Sequence, residues 1–448
     1  RYKIYNGTSL VGSGNFANSL EGETITIATS QPITTTLSTY KLYIWIDGEN
    51  YDNPLSMGGK TFLFKLGITA NQQQNACNPS IILDDSGANT PELVNGMIPI
   101  KYDGTKWVKA STTTANDWYD YTNKMWANAV MVTSGTRDTY MNASAGTTIS
   151  EEDILAYYVW IPRYKYQLFN VDSTTIDPIE IQIKFEEGIP NKSSGTANGE
   201  WLTHPAFTLG TDELEGIWVG KFSTTGSAET PTSKPNLLPL TNQNVSTQFT
   251  TSQIFGTTTY LTSTGVSEVD AHMMKNIEWG AVAYLKQSKY GLGTTDIAWN
   301  NYFDETDFNN GGTNYLKTGC GIASGSEYST TCNAYNTTDG MLASTTGNIT
   351  GVYDMSAAMG TYVMGVMQDN TGTNTPMSGS SSSYNSGFTG KIYDSGNFTQ
   401  YSGVAFPNSK YYDLYAYGGT SYTYDTRRIL GDATGEVNGW YGDIARFV

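Results

Sequence analysis

Charge is scarce in this sequence. Lys, Arg, Asp and Glu together make up 15% of it, against roughly 25% in ordinary globular chains. Exposed helices draw on Glu, Lys and Ala, so a chain this poor in charge is not built from long surface helices. The charge present leans acidic, with 25 Lys+Arg against 42 Asp+Glu and a net −17. Nucleic-acid affinity rests on Lys and Arg neutralising phosphates, which excludes nucleic acid as a partner. The acidic residues are scattered rather than gathered in runs, which suits solubility more than an acidic recognition tail. Long apolar runs are missing as well. No stretch reaches the ~18–20 consecutive apolar residues of a membrane-spanning helix, so no membrane span is expected in this chain. There is no export-signal pattern, and the sequence opens at Arg1 as a processed or trimmed chain would.

Histidine and cysteine are few. Two His, His204 and His272, and three Cys do not make a Cys/His set with zinc spacing, and neither metal nor cofactor is expected. Cys320 and Cys332 lie in the Gly/Ser/Thr-rich stretch GCGIASGSEYSTTC, where a disulfide would staple an entropic loop and metal ligation is the rival reading. Cys77 is then unpaired, a small apolar residue. Catalytic signatures are lacking too: no Gly-x-Ser-x-Gly, phosphate loop, His-Glu-x-x-His or dinucleotide fingerprint occurs. The densest acidic group, Asp304-Glu305-Thr306-Asp307, reads as solvated loop charge and lacks the oxygen-ligand spacing of a calcium loop. No enzyme is expected.

What is abundant is Thr, Ser, Asn, Gly and Tyr, with 47 Gly and 32 Tyr in 448 residues. That mixture favours short strands joined by turns, and the length calls for two or more domains. A mainly β chain with some α is expected. Thr24–Ile27, Tyr40–Ile46 and Thr61–Leu66 alternate with the period of half-buried strands between Asp47-Gly48 and Gly58-Gly59 breaks, so 1–75 reads as an immunoglobulin-like β-sandwich. Residues 76–149 read as a linker followed by an aromatic β-hairpin module. Its two units, Ile100–Val108 and Trp118–Met125-Trp126, carry aromatics on both sides of a turn; cross-strand packing is the simpler role for these rings, a sugar-stacking platform the other. Ser150-Glu151-Glu152-Asp153 before Ile154–Tyr158 predicts a short helix start, followed by strands at Val159–Tyr166 and Ile179–Phe185. Residues 150–448 are expected to form one α+β domain.

Three ordered pieces in that domain resemble the formylglycine-generating-enzyme-like (sulfatase-modifying factor) family, a variant of the C-type lectin fold. They are Gly216-Ile217-Trp218-Val219-Gly220-Lys221-Phe222, then Ile277-Glu278-Trp279-Gly280-Ala281-Val282-Ala283-Tyr284-Leu285, then Gly351-Val352-Tyr353-Asp354-Met355-Ser356. The second also reads as the apolar stripe of any core helix. The resemblance implies a C-type-lectin-like domain over 150–448. Ala358 and Thr361 stand where the family places calcium ligands, and the cysteine pair of its enzymes has no counterpart downstream of 351–356. A non-catalytic member is therefore implied, as in bacterial surface proteins and targets of diversity-generating retroelements, where the fold carries a variable binding face. Tyr411, Tyr412, Tyr415, Tyr417, Tyr422, Tyr424, Trp440 and Tyr441 sit among Gly, Ser and Asp in the manner of binding loops; the other reading packs them on the sheet. Together these point to an extracellular binding protein or adhesin of a bacterial or phage surface, with a surface glycan or protein as partner. The alternative is a structural subunit that self-associates into a filament or pilus-like appendage.

Overall fold

A computed structural model of the chain describes residues 1–15, 27–28, 39–45, 84–169, 179–298, 317–321, 332–356, 361–368, 376–394, 396–416 and 430–432. The chain divides into two compact units, Arg1–Gln74 and Asn75–Val448. It is mainly β, with four α-helices among the described residues. No helix among them is long and apolar enough to cross a membrane.

The first unit shows strands β1 (Tyr2–Asn6), β2 (Ser9–Gly14) and β3 (Tyr40–Ile44), in an antiparallel sheet of order β2-β1-β3. The expected strands at 24–27 and 61–66 lie wholly or almost wholly outside the described residues.

The second unit opens with β4 (Met97–Tyr102), β5 (Trp107–Lys109), β6 (Asn128–Val132) and β7 (Ile154–Pro162). Next come β8 (Tyr164–Gln167), β9 (Ile183–Phe185) and β10 (Trp201–Thr203), forming a sheet of order β10-β8-β9. Short ladders pair β11 (Thr208–Leu209) with β12 (Asp212–Glu213). Strand β13 (Gly216–Gly220) then returns to complete a five-stranded antiparallel sheet, β13-β7-β6-β4-β5. Residues 97–132, expected as a separate module, are thus in one sheet with 154–162 and 216–220, and the expected break at 149/150 falls inside it.

The predicted helix start at 150–158 is a turn leading into β7. Strand β7 is buried along nearly all its length and is bonded to β6 on one side and β13 on the other. Two ladders outweigh a local capping signal. Of the two aromatic units, 100–108 is a hairpin with Tyr102 opposite Trp107, while 118–126 closes on a single bridge, Asp120 to Met125. Its rings pack inward: Trp118, Tyr121 and Trp126 are all buried, and their polar atoms donate to Asn128 O, Trp160 O and Tyr290 O. Buried aromatics with satisfied polar atoms are structural.

Helices α1 (Ser134–Asn142), α2 (Val245–Gln253) and α3 (Asn276–Lys286) follow in chain order, with a one-turn helix at Thr338–Met341. The expected apolar stripe on α3 is present: Ala281, Tyr284 and Leu285 enter the cluster that holds Trp126, Trp160 and Tyr166. Beyond α2 the chain adds a parallel pair, Gly365–Gln368 with Asp413–Ala416, and a four-stranded sheet within 377–401.

Two buried cations tie these parts together. Arg163, between β7 and β8, is fully buried; its Nε lies 2.9 Å from Glu186 and its Nη1 2.9 Å from Glu213. Lys221, just after β13, donates to Ile349 O at 2.6 Å and Gly351 O at 2.8 Å, with the Trp107 and Tyr353 rings 5.4 and 5.2 Å from its ammonium. Tyr353 N donates back to Lys221 O. Burial pushes Lys221 well below the ordinary lysine range. Lys221→Met would strand two buried carbonyls, and a loss of about 2–3 kcal/mol is expected in urea denaturation; an unchanged midpoint would mean those carbonyls find other donors. Asp354, in the left-handed region at φ 61°, accepts from Ser223 N and Gly319 N. Next to Gly319, Cys320 is bridged to Cys332, the disulfide arrangement of that pair.

Candidate functional site

An open cleft of about 460 Å³ lies between the end of α2 and the approach to α3, with Gln253, Ser267, Glu268, Asp270 and Tyr411 among the residues that line it. Helix α3 explains why the wall beside it is charged. Its first turn is anchored by Glu278, whose Oε2 accepts Lys275 N at 2.7 Å, a reach-back that satisfies an otherwise open donor. The other oxygen, Oε1, lies 3.1 Å from His272 Nε2. His272 Nδ1 in turn lies 3.5 Å from Asp270 Oδ1. Asp270 Oδ2 then accepts from Lys410 Nζ at 2.6 Å and from the Tyr411 hydroxyl at 3.1 Å. A continuous relay of charge runs from the buried helix start to the cleft wall.

The electrostatics follow from that order. Burial works against the His272 imidazolium, but the charge and hydrogen bond of Glu278, with those of Asp270, more than offset it and push His272 up to about 10. The hydrogen bond from His272 holds Asp270 well below the usual carboxylate range despite partial burial, and Lys410 and Tyr411 reinforce it. Glu278 is lowered too, because His272 and Lys275 outweigh its burial. Lys410 is raised by its bond to Asp270. Beneath them Asp413 is pushed up to about 7, chiefly by burial, although its Oδ2 accepts Ile277 N at 2.8 Å.

Tyr411 is held on several sides. Its ring centre is 5.2 Å from that of His272 and 5.6 Å from that of Phe249, and Lys410 Nζ sits 4.7 Å from it. A ring pinned in this way presents its contact surface at low entropic cost. The acceptor-rich wall offers hydrogen bonds to hydroxyl or N–H groups of a polar ligand.

Of the aromatic residues singled out from the sequence, Tyr411 lines the cleft. Tyr412 is half-buried, 5.9 Å from Phe406 and packed on the cluster of Phe249, Met273, Met364 and Phe388. Tyr415 is corrected to a core residue: it is 2% exposed, donates to Asp432 Oδ2 at 2.6 Å and accepts from Asn276 Nδ2 at 2.7 Å. The reason is the period-two alternation of the strand, which turns Asp413 and Tyr415 inward and Leu414 outward. Tyr417, Tyr422, Tyr424, Trp440 and Tyr441 lie outside the described residues. Asp270, His272, Glu278 and Lys410 were not singled out; the available signals were the rarity of histidine and the Asp270-x-His272 spacing ahead of a helix start. Among the described residues no group of three or more His, Cys, Asp or Glu is placed to hold a metal ion. No family model matches the chain, and no curated protein matches it either.

Proposed function

We propose that this chain is a non-catalytic binding protein of a bacterial or phage surface that captures a polar surface ligand, glycan or protein, in the cleft beside Tyr411. The observation that carries this reading is the pinning of Tyr411 at the cleft wall by Asp270, His272 and Lys410, an aromatic and polar contact set held in place before any ligand arrives. The resemblance to the formylglycine-generating-enzyme-like family belongs to the same reading, with a lectin-like fold in the second unit and an immunoglobulin-like sandwich in the first 75 residues. Two of its three pieces are joined directly, through Lys221 to Ile349 and Gly351 and through Tyr353 back to Lys221. The third, α3, supports the relay that reaches the cleft. The disulfide agrees with an extracellular location, since such bonds persist in oxidising surroundings.

The test is a screen of the chain and its Tyr411→Ala variant against an array of bacterial and host glycans and a panel of surface proteins. A binder whose affinity falls tenfold or more in the variant, with the variant still folded at the assay temperature, is the expected result. A chain that binds nothing in the screen and forms rods or stable multimers through a dilution series would instead favour the filament subunit.

A further inference from the structure

We propose that Asp413 is a proton-operated clamp: protonated, it holds the segment that carries Lys410 and Tyr411 on the start of α3, and ionised, it loosens that hold. Acid then firms the cleft wall and neutral pH slackens it. The device acts on that wall whatever ligand the cleft takes.

The segment is fastened at two places. At the surface, Lys410 and Tyr411 bond Asp270. Behind them the strand Asp413–Ala416 pairs in parallel with Gly365–Gln368, and Asp413 N donates to Met364 O at 2.9 Å. The Asp413 side chain reaches across to α3, where its Oδ2 accepts Ile277 N at 2.8 Å. Tyr415 lies two residues further on the same face of the strand. It accepts from Asn276 Nδ2 and donates to Asp432 Oδ2. These two side-chain ties end on the first two residues of α3.

Asp413 is placed unlike the other acids of the site. Asp270 is bonded to Lys410 and stands beside His272, and Glu278 lies 3.1 Å from His272 and 3.9 Å from Lys275. Asp413, 7% exposed, forms no ion pair among the described residues. The charged groups that face it are Lys275 and Glu278 from α3 and Asp432 from the 430–432 segment, so one cation, already beside Glu278, stands against two carboxylates. An ionised Asp413 gains from the Ile277 amide and from Lys275, as anions do at a helix start. Burial and the two carboxylates outweigh that gain and hold it up to about 7. The neutral acid keeps the bond from Ile277 N, because it retains an acceptor oxygen. Once the segment opens, the same group is in water and ionises near ~3.9. The proton therefore favours the closed segment in full below about pH 4, and that preference fades as the pH rises to about 7.

The test is hydrogen exchange, read by mass spectrometry, on the full chain and on Asp413→Asn, whose side-chain oxygen accepts Ile277 N without ever carrying charge. Peptides covering 408–416 and the start of α3 are compared between the two proteins at the same pH. The intrinsic pH dependence of exchange and the titrations of His272, Asp270 and Glu278 then cancel. The ratio of wild-type to variant exchange should rise at least tenfold between pH 4.5 and 7.5, with the variant the slower at pH 7.5. A carbon-13 carboxyl titration, with the Asp413 signal identified by its loss in the variant, should show a midpoint of about 7 in the folded chain. A constant ratio, faster exchange in the variant at both pH values, or a midpoint below about 5 would overturn the proposal, since the carboxyl would then act in one ionisation state throughout. No readout here uses a ligand, so failure of the clamp leaves the reading of the cleft as a binding site standing.

Discussion

Arg163→Met is expected to destabilise the chain by about 3–5 kcal/mol, the range for removing one member of a buried ion pair. Arg163 and Glu186 have side chains 0% and 2% exposed, so the substitution strands a carboxylate where water does not reach it. The Arg163 guanidinium also donates to Phe207 O and Leu214 O, so the turn between β10 and β13 loses its tie to β8. The measurement is the urea midpoint at fixed pH. Arg163→Met/Glu186→Gln should recover part of the loss, because the stranded charge goes with its partner. A single substitution costing less than about 1 kcal/mol would mean that the site rehydrates, which contradicts the burial described above.

The second large effect is on pH dependence. His272 is pushed up to about 10 in the folded chain, against about 6.5 in an unfolded one. The folded state therefore holds the proton more tightly. Its stabilisation is fully present below about pH 6.5 and is lost as the pH climbs towards 10, at a rate of at most about 1.4 kcal/mol per pH unit. Asp413, pushed up to about 7, acts in the same direction at lower pH, while lowered Lys221 opposes it by favouring the fold as the pH rises. Comparing the wild type with His272→Gln isolates the imidazole. The stability gap between them should be wide at pH 6 and narrow at pH 9, followed by urea denaturation at each pH. A gap that stays constant would show that His272 is not paired with Glu278 and Asp270 in solution.

Local patterns in the sequence carried the hairpin at 100–108, the later part of β7 with β8, and the stripe of α3, because periodicity and turn chemistry act over a few residues; β6 at Asn128–Val132 was not among the expected strands. The Cys320–Cys332 bridge was equally legible from its loop. The helix start at Ser150 misled for a physical reason: capping contributes about 1 kcal/mol, less than the two ladders that hold Ile154–Pro162. Tyr415 misled because composition does not say which face of a strand a tyrosine occupies, and here partners at Asn276 and Asp432, distant in sequence, draw it inward. The cleft was out of reach for the same cause. Asp270 and Lys410 are 140 residues apart, and neither stands in a motif; only the packing of the 408–415 segment against the start of α3 makes them neighbours.

Ser267→Trp is the most direct probe of the cleft, since Ser267 lines it and is exposed, so a large ring there obstructs the cavity without disturbing the core. Titration calorimetry would compare this variant with the wild type for the strongest binder from the array. If the cleft is the site, affinity falls at least tenfold while the thermal midpoint stays unchanged. Equal affinity in a variant of unchanged stability would contradict it and place the ligand elsewhere on the chain.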